Sequence, residues 1–312
     1  MTVFLEILAL VGGLAVLIVG ADLLVRGAAQ LARVFGLSPF AIGVTVVAFG
    51  TSAPEMFASI GAALQGVEDL AIGNVLGSNI ANILLILGAG AIIAPIGIHR
   101  RVRMVELPIM LAITGLSLVL MYDGRISRLD GVLLFVGLIG YVIFIVRAHK
   151  VEIEHEGEEV VTHPRSAWLD VLMVGIGVIA LGLGAKALVF GASGVAVRLG
   201  VPSGVIGTTV VALGTSLPEL AATVRAAVGK SSDIAVGNVV GSNIFNLLSV
   251  LGVTAMLHPL TMLDIQMTHA WVMLGVSVGL VVFALIRPAI GRMVGIGFLA
   301  LYAVFTVYVY LG

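Results

Sequence analysis

The chain reads as an all-α membrane protein of ten transmembrane helices, arranged as two inverted five-helix repeats with interrupted helices at the centre. Three observations predict this. First, 60% of the residues are hydrophobic, only 11% are charged and mean hydropathy is +1.20, whereas a soluble domain is about half apolar and a quarter charged. Second, polar and Gly/Pro punctuation cuts the chain into ten apolar stretches, each near the roughly 20 residues that cross a hydrocarbon core. Third, Gly50-Thr51-Ser52-Ala53-Pro54-Glu55 recurs 164 residues later as Gly214-Thr215-Ser216-Leu217-Pro218-Glu219, and the same offset carries Asp69–Asn82 onto Asp233–Asn246 without a gap.

The stretches run over 3–32, 38–64, 70–97, 104–122, 129–147, 167–197, 202–228, 233–257, 267–286 and 290–311. The first lacks the basic start and small-residue cleavage site of a signal peptide, so it is expected to be a retained span. The second and seventh carry the acid-proline phrase. Pro54 and Pro218 have no amide hydrogen for the carbonyls of Gly50 and Gly214, so each helix should kink or unwind there. The third and eighth are apolar but amide-rich. The fourth, fifth, ninth and tenth need only be apolar. The sixth repeats the first through Gly20 to Gly184 and Gly27 to Gly191. These stretches give a first repeat over 1–147 with its motif at 38–88, a linker over 148–166, and a second repeat over 167–312 with its motif at 202–252.

Ten spans put loops alternately on two sides. Arg33, Arg100, Arg101, Arg103, Arg147, Lys150, Arg165, Arg225, Lys230, Arg287 and Arg292 fall on one side, and only Arg125, Arg128 and Arg198 on the other. Excess Lys and Arg mark the cytoplasmic side. The linker is therefore expected in the cytoplasm, with both termini outside, in a prokaryotic-type cell membrane. An odd number of spans per repeat makes the second copy enter from the opposite face, and inverted repeats with broken helices are the pattern of secondary transporters.

Residue identity shows where the chemistry lies. Ile42 to Glu55 matches Ile206 to Glu219 at 11 of 14 positions, and Asp69 to Gly88 matches Asp233 to Gly252 at 13 of 20, while the remainder of each half is far less alike. In lipid, carbonyls freed by a helix break survive where they line protein or a water-filled cavity. Thr51, Ser52, Thr215 and Ser216 add hydroxyls there, and Glu55 and Glu219 add carboxylates. A charged carboxylate at mid-bilayer costs roughly 2.5 to 3.5 kcal/mol and needs a compensating charge. The core bases Arg26 and Lys186 do not recur in the other copy, so a transported cation is the better partner. Asn74, Ser78, Asn79 and Asn82 recur as Asn238, Ser242, Asn243 and Asn246, which suggests a lined pathway. Gly73 and Gly77, with Gly237 and Gly241, form small helix faces for close packing. Hard oxygen donors without cysteine favour calcium, or sodium at lower charge, over soft metals.

These motifs, GTSAPE with GTSLPE and GNVLGSNIAN with GNVVGSNIFN, resemble the alpha repeats of the cation/calcium exchanger superfamily, most closely its prokaryotic sodium/calcium exchanger branch. The resemblance covers essentially the whole chain. It implies a calcium/sodium antiporter working by alternating access, with Ca2+ and Na+ as transported ions, lipid as surroundings, and neither a catalytic residue nor a cofactor. It implies calcium at Glu55, Glu219 and the carbonyls of Thr51 and Thr215. Sodium would use Ala48, Ser52, Ser78, Ala212, Thr215, Ser216 and Ser242 with the glutamates, and spans one and six would be the sliding gate. Asn82 and Asn246 complete the expected metal set. The branch commonly carries aspartate where this chain has Asn246, so the site holds two formal negative charges rather than three. Two acids in a low-dielectric site make protons competitors. A proton/calcium exchanger, or a potassium-dependent one, is therefore the alternative.

Other features have simpler accounts. Asp22 stands opposite Lys186 in the repeat, but Arg26 is its i,i+4 partner in the same helix. The linker mixes His149, His155 and His163 with Glu152, Glu154, Glu156, Glu158 and Glu159 without ligand spacing, and is expected to be solvated. His99, His258 and His269 lie near span ends. The glycines at 175, 177, 182 and 184 follow no strand, so they are no nucleotide loop. No basic run marks a nucleic-acid surface, and no protein partner is expected. A channel could also use a carboxylate ring, but the inverted two-fold unit favours alternating access. A hydrolase would need a nucleophile and base that do not accompany the glutamates.

Overall fold

The computed structural model describes residues 3–149, 167–200, 212–262 and 264–311. In lipid each backbone polar group must be satisfied within its own segment, so the apolar runs become helices. They are α1 (Val3–Val34), the bent pair α2 (Pro39–Thr51) and α3 (Ala53–Leu64), α4 (Glu68–Ile93), α5 (Val102–Met121), α6 (Arg128–Ala148) and α7 (Ala167–Arg198). There follow α8 (Ala212–Thr215), α9 (Leu217–Val228), α10 (Ser232–Leu257), α11 (Asp264–Ile286) and α12 (Arg292–Leu311). Among the described residues eight helices are long and apolar enough to span, and the bent pair makes nine. The expected seventh stretch begins at 202, and its residues up to 211 lie outside the described set, as does the linker over 150–166.

Expected ends hold to within a few residues. The third span differs most, because the chain leaves the helix at Ala94 and enters a short strand. Strands β1 (Ile96–Gly97), β2 (Arg125–Ile126), β3 (Leu260–Thr261) and β4 (Ala289–Ile290) tie span ends together, β1 with β4 and β2 with β3, both antiparallel. The 164-residue offset carries β1 onto β3 and β2 onto β4, and carries the pairing of Ile96 with Ile290 onto that of Leu260 with Ile126. The turn after α3 uses Gly66 at φ +76°; its counterpart after α9 is Lys230 at φ +56°, a left-handed conformation that costs a residue with a Cβ about 1 to 2 kcal/mol.

Helices α4 and α10 form the centre, and every residue from Ile234 to Gly252 is buried. On the outside, Phe4, Leu8, Val11 and Ile18 of α1, with Val132, Val136 and Ile139 of α6, present apolar side chains outward, as lipid contact demands. The long helices α1 and α7 cross antiparallel along a glycine seam. A Cβ on Gly13 would sit 2.6 Å from the Leu188 amide nitrogen, one on Gly184 2.8 Å from that of Leu17, one on Gly20 2.9 Å from that of Leu181, and one on Gly177 2.7 Å from that of Leu24. Backbone approach of this kind supplies van der Waals packing, since apolar burial gives no net drive between helices already in lipid.

Candidate cation site

The break expected at each proline falls two residues before it, at the serine, within the turn whose hydrogen bond the proline removes. Ser52 (φ −82°, ψ 2°) and Ser216 (φ −89°, ψ 4°) leave the helical region, and α3 and α9 restart with Pro54 and Pro218 in their first turns. Proline is favoured there because the amide hydrogen it lacks would have no partner. The axis bends by 43° between α2 and α3. Helices α4 and α10 carry π-helical turns beginning at Asn82 and Asn246, and such turns recur at functional sites. Glu55 and Glu219 therefore enter from opposite broken helices. Both acids are 1% exposed.

Hydrogen bonds cross between the halves. Ser52 Oγ donates to Glu219 Oε1 at 3.1 Å, and Ser216 Oγ to Glu55 Oε1 at 3.2 Å. Thr51 Oγ1 lies 3.2 Å from Asn238 Oδ1, and Thr215 Oγ1 3.4 Å from Asn74 Oδ1. The Asn74 amide nitrogen donates to the Glu55 carbonyl and Ser59 Oγ at 3.2 and 2.9 Å; that of Asn238 donates to the Glu219 carbonyl and Thr223 Oγ1 at 3.3 and 2.9 Å. Asn74 and Asn238 thus brace the broken helices. Ser59 and Thr223 were not singled out from sequence, although a hydroxyl repeated at the common offset marks them.

The outer oxygens remain. Among the described residues, Glu55 Oε2 and Glu219 Oε2 are buried without a hydrogen-bond partner, as are both polar atoms of the Asn82 side chain, Asn246 Oδ1 and Ser242 Oγ. No basic side chain pairs with either glutamate among the described residues. A buried carboxylate oxygen with neither donor nor cation is costly, and the arrangement suits a cation between the two acids. Ser78 Oγ lies 3.3 Å from Ser216 Oγ. The Ala48 carbonyl accepts from Thr51 Oγ1 at 3.3 Å and from the Ser52 amide at 2.9 Å. Ala212 opens α8, and its side chain lies outside the described set.

Away from this cage, three polar clusters tie helices together. Asp22 does meet Arg26, at 2.9 Å, but it also meets Arg225 of α9 at 2.6 Å, a partner that sequence spacing could not reveal; no Asp22–Lys186 pair forms among the described residues. Glu6 of α1 is held by Arg198 of α7 at 2.6 and 3.0 Å. His149, expected to be solvated with the linker, is instead buried: its Nε2 lies 2.8 Å from Glu106 Oε1 and its Nδ1 3.0 Å from Ser38 Oγ. Ser38 also caps α2, accepting from the Ala41 amide at 3.2 Å. His99 and His258 meet Asp233 and Glu68 at 3.2 and 3.0 Å, and His269 packs edge-on against Phe305.

A buried pair of carboxylates held by facing broken helices in a membrane bundle defines an ion transporter. The particular family follows from comparison: the family model described as sodium/calcium exchanger protein matches residues 5–147 and 169–311, and the chain belongs to that family, whose members are transporters rather than enzymes. It is 38% identical over 300 residues to inner membrane protein YrbG of Escherichia coli K12, covering 92% of this chain and 91% of that one. It is 33% identical to sodium/calcium exchanger MaX1 of Methanosarcina acetivorans, covering 95% of each. Its fold superposes on the solved sodium-calcium exchanger NCX_Mj with a TM-score of 0.86 at 37% identity, over 97% of this chain and 98% of that one. The protein is a multi-span integral membrane cation exchanger.

Proposed function

We propose that this chain exchanges calcium for sodium by alternating access to one central cage. In this reading ten spans form two inverted halves over 1–147 and 167–312, joined by a cytoplasmic linker at 148–166, with both termini outside. Glu55, Glu219 and the carbonyls of Thr51 and Thr215 hold calcium. Ala48, Ser52, Ser78, Ala212, Ser216 and Ser242 supply oxygens for sodium, Asn82 and Asn246 face the ion, and α1 with α7 forms the moving gate. The observation that carries the reading is the pair of buried carboxylate oxygens, Glu55 Oε2 and Glu219 Oε2, that have no hydrogen-bond donor among the described residues. The division into halves is supported by the two matched segments and by the exchange of strand partners at the common offset.

Glu55→Gln or Glu219→Gln should abolish calcium flux in proteoliposomes at matched protein density, with the melting temperature preserved. Normal flux in either variant would sink the site assignment. The second reading, calcium/proton exchange, is favoured by Asn246, which removes a charge that sodium could have used. Radioactive calcium uptake driven in turn by outward sodium, potassium or proton gradients separates them. If only the proton gradient drives uptake, the sodium assignment fails. Uptake that neither saturates nor needs a counter-ion would point to a channel.

A further inference from the structure

The two central helices carry the same polar side chains and bond them differently. Ser78, Asn79 and Asn82 of α4 recur as Ser242, Asn243 and Asn246 of α10, and all six are buried. Asn79 Nδ2 donates across to the Asn243 carbonyl at 3.4 Å, and Asn79 Oδ1 accepts from the Asn246 amide at 3.1 Å. The counterparts do neither. Asn243 Nδ2 turns back to the Val239 carbonyl of its own helix at 2.8 Å, and both polar atoms of the Asn82 side chain are without a partner among the described residues. The serines divide in the same way: Ser216 Oγ reaches Ser78 Oγ at 3.3 Å, whereas Ser242 Oγ has no partner among the described residues. Met273 Sδ, 3.4 Å from Asn79 Nδ2, answers to Ile109, so that weak acceptor is built in by sequence. The amide-to-amide bond is not, because identical side chains can form it from either half.

Identical residues with different partners mark a difference in conformation between the halves. Halves related by a two-fold axis in the membrane plane exchange faces when they exchange conformations, and alternating access needs two such states. We infer that Asn79 and Asn243 are paired positioning residues that take turns through the transport cycle. In this structure Asn79 holds Asn246, and Asn82 is released. In the opposite-facing state Asn243 Oδ1 accepts from the amide of Asn82, Asn79 folds back on the Val75 carbonyl of its own helix, and Asn246 is released. Each bond between amides therefore counts toward one state only. A buried polar group left without its partner is costly, so removing one member of the pair tilts the balance between the two faces.

This inference rests on the exchanger reading above, and one experiment separates their failures. Right-side-out and inside-out vesicles from cells expressing the full-length protein present the two faces in turn. Calcium–calcium exchange followed with radioactive calcium, the opposite side saturated, gives the half-saturating calcium for each face. A less populated state binds with proportionately lower apparent affinity, so the ratio of the two values reports the balance. One buried hydrogen bond shifts a two-state population by about two- to tenfold. Asn79→Ala should move the ratio by that factor in one direction and Asn243→Ala by a similar factor in the other, and the double variant should return it to near the parent value. Shifts in the same direction, an unchanged ratio, or a folded variant without flux would overturn the inference and leave the exchanger reading intact. If an alanine variant gives no folded peak in size-exclusion chromatography, Asn79→Ser and Asn243→Ser, whose side chains are too short to span the gap, carry the same prediction. A parent protein without calcium flux under any gradient overturns both.

Discussion

Around the two glutamates, nearly every contact has a counterpart 164 residues away: serine to opposite glutamate, threonine to opposite asparagine, asparagine to the carbonyl of its own acid. Among the polar clusters away from the cage the correspondence fails. Asp22 answers to Lys186, Arg225 to Gly61, Ser38 to Pro202 and Glu106 to Ala270, so the clusters Asp22–Arg225 and Ser38–His149–Glu106 exist once only. The contrast separates two requirements. An ion site opened in turn to two solutions must present the same oxygens from either half, which holds its residues to one pattern. Helix ends meet different solutions, and their polar contacts are built locally.

The largest effect should come from a peripheral feature that is mirrored, the glycine seam of α1 and α7. Gly184→Val places a branched side chain where a single Cβ already lies 2.8 Å from the Leu17 amide nitrogen. Overpacking costs about 1 to 3 kcal/mol where side chains can give way, and more where the obstacle is backbone. The variant should lose its folded peak in size-exclusion chromatography. Gly175→Val pays the same β-branched propensity on an exposed position with nothing within 4 Å, and should elute like the parent. If both behave alike, close approach is not what the seam provides.

The seam also marks what sequence could and could not show. Broken helices, paired acids and the amide set were legible because duplication repeats them, and repetition within one chain singles out constrained residues. Gly20 with Gly184 and Gly27 with Gly191 were aligned, but the sequence does not say that each packs on backbone. His149 was misread because burial depends on Glu106, 43 residues earlier, and on Ser38, 111 residues earlier, and neither contact has a copy. Features made once, by long-range packing, leave no such trace. The break was expected at the proline because proline removes a hydrogen bond, while the dihedrals that turn the chain belong to the serine two residues before it.

The next effect belongs to the unmirrored cluster of Ser38, His149 and Glu106. Glu106 is wholly buried, and His149 at 2.8 Å and the more distant Arg101 at 3.8 Å are its neighbours. Removing one partner so that a buried polar group is left unsatisfied costs about 1 to 3 kcal/mol, so Glu106→Leu and His149→Leu should each lower the melting temperature of the purified protein. Replacing both should cost less than the sum of the single losses, because the second change removes a stranded polar group. Strict additivity would show that the two side chains do not depend on each other. Ala270→Leu, at the mirrored position, changes no polar contact and tests packing alone.

Smallest is the Asp22–Arg225 pair, and it permits the comparison to be reversed. Its side chains are 30% and 26% exposed, and ion pairs of this kind contribute about 0.2 to 1 kcal/mol. Arg225→Gln should therefore shift stability by no more than that, less at high salt because exposed charges are screened. The mirrored pair can be built by combining Lys186→Asp with Gly61→Arg. Gly61→Arg alone gains helix propensity, so only the coupling term of the double-mutant cycle reports the new contact. If the offset describes geometry as well as sequence, that coupling should be favourable, of the same order as the native pair, and reduced by salt. A coupling of zero would mean that α7 does not approach α3 as α1 approaches α9, and that the halves diverge in arrangement as well as in side chains.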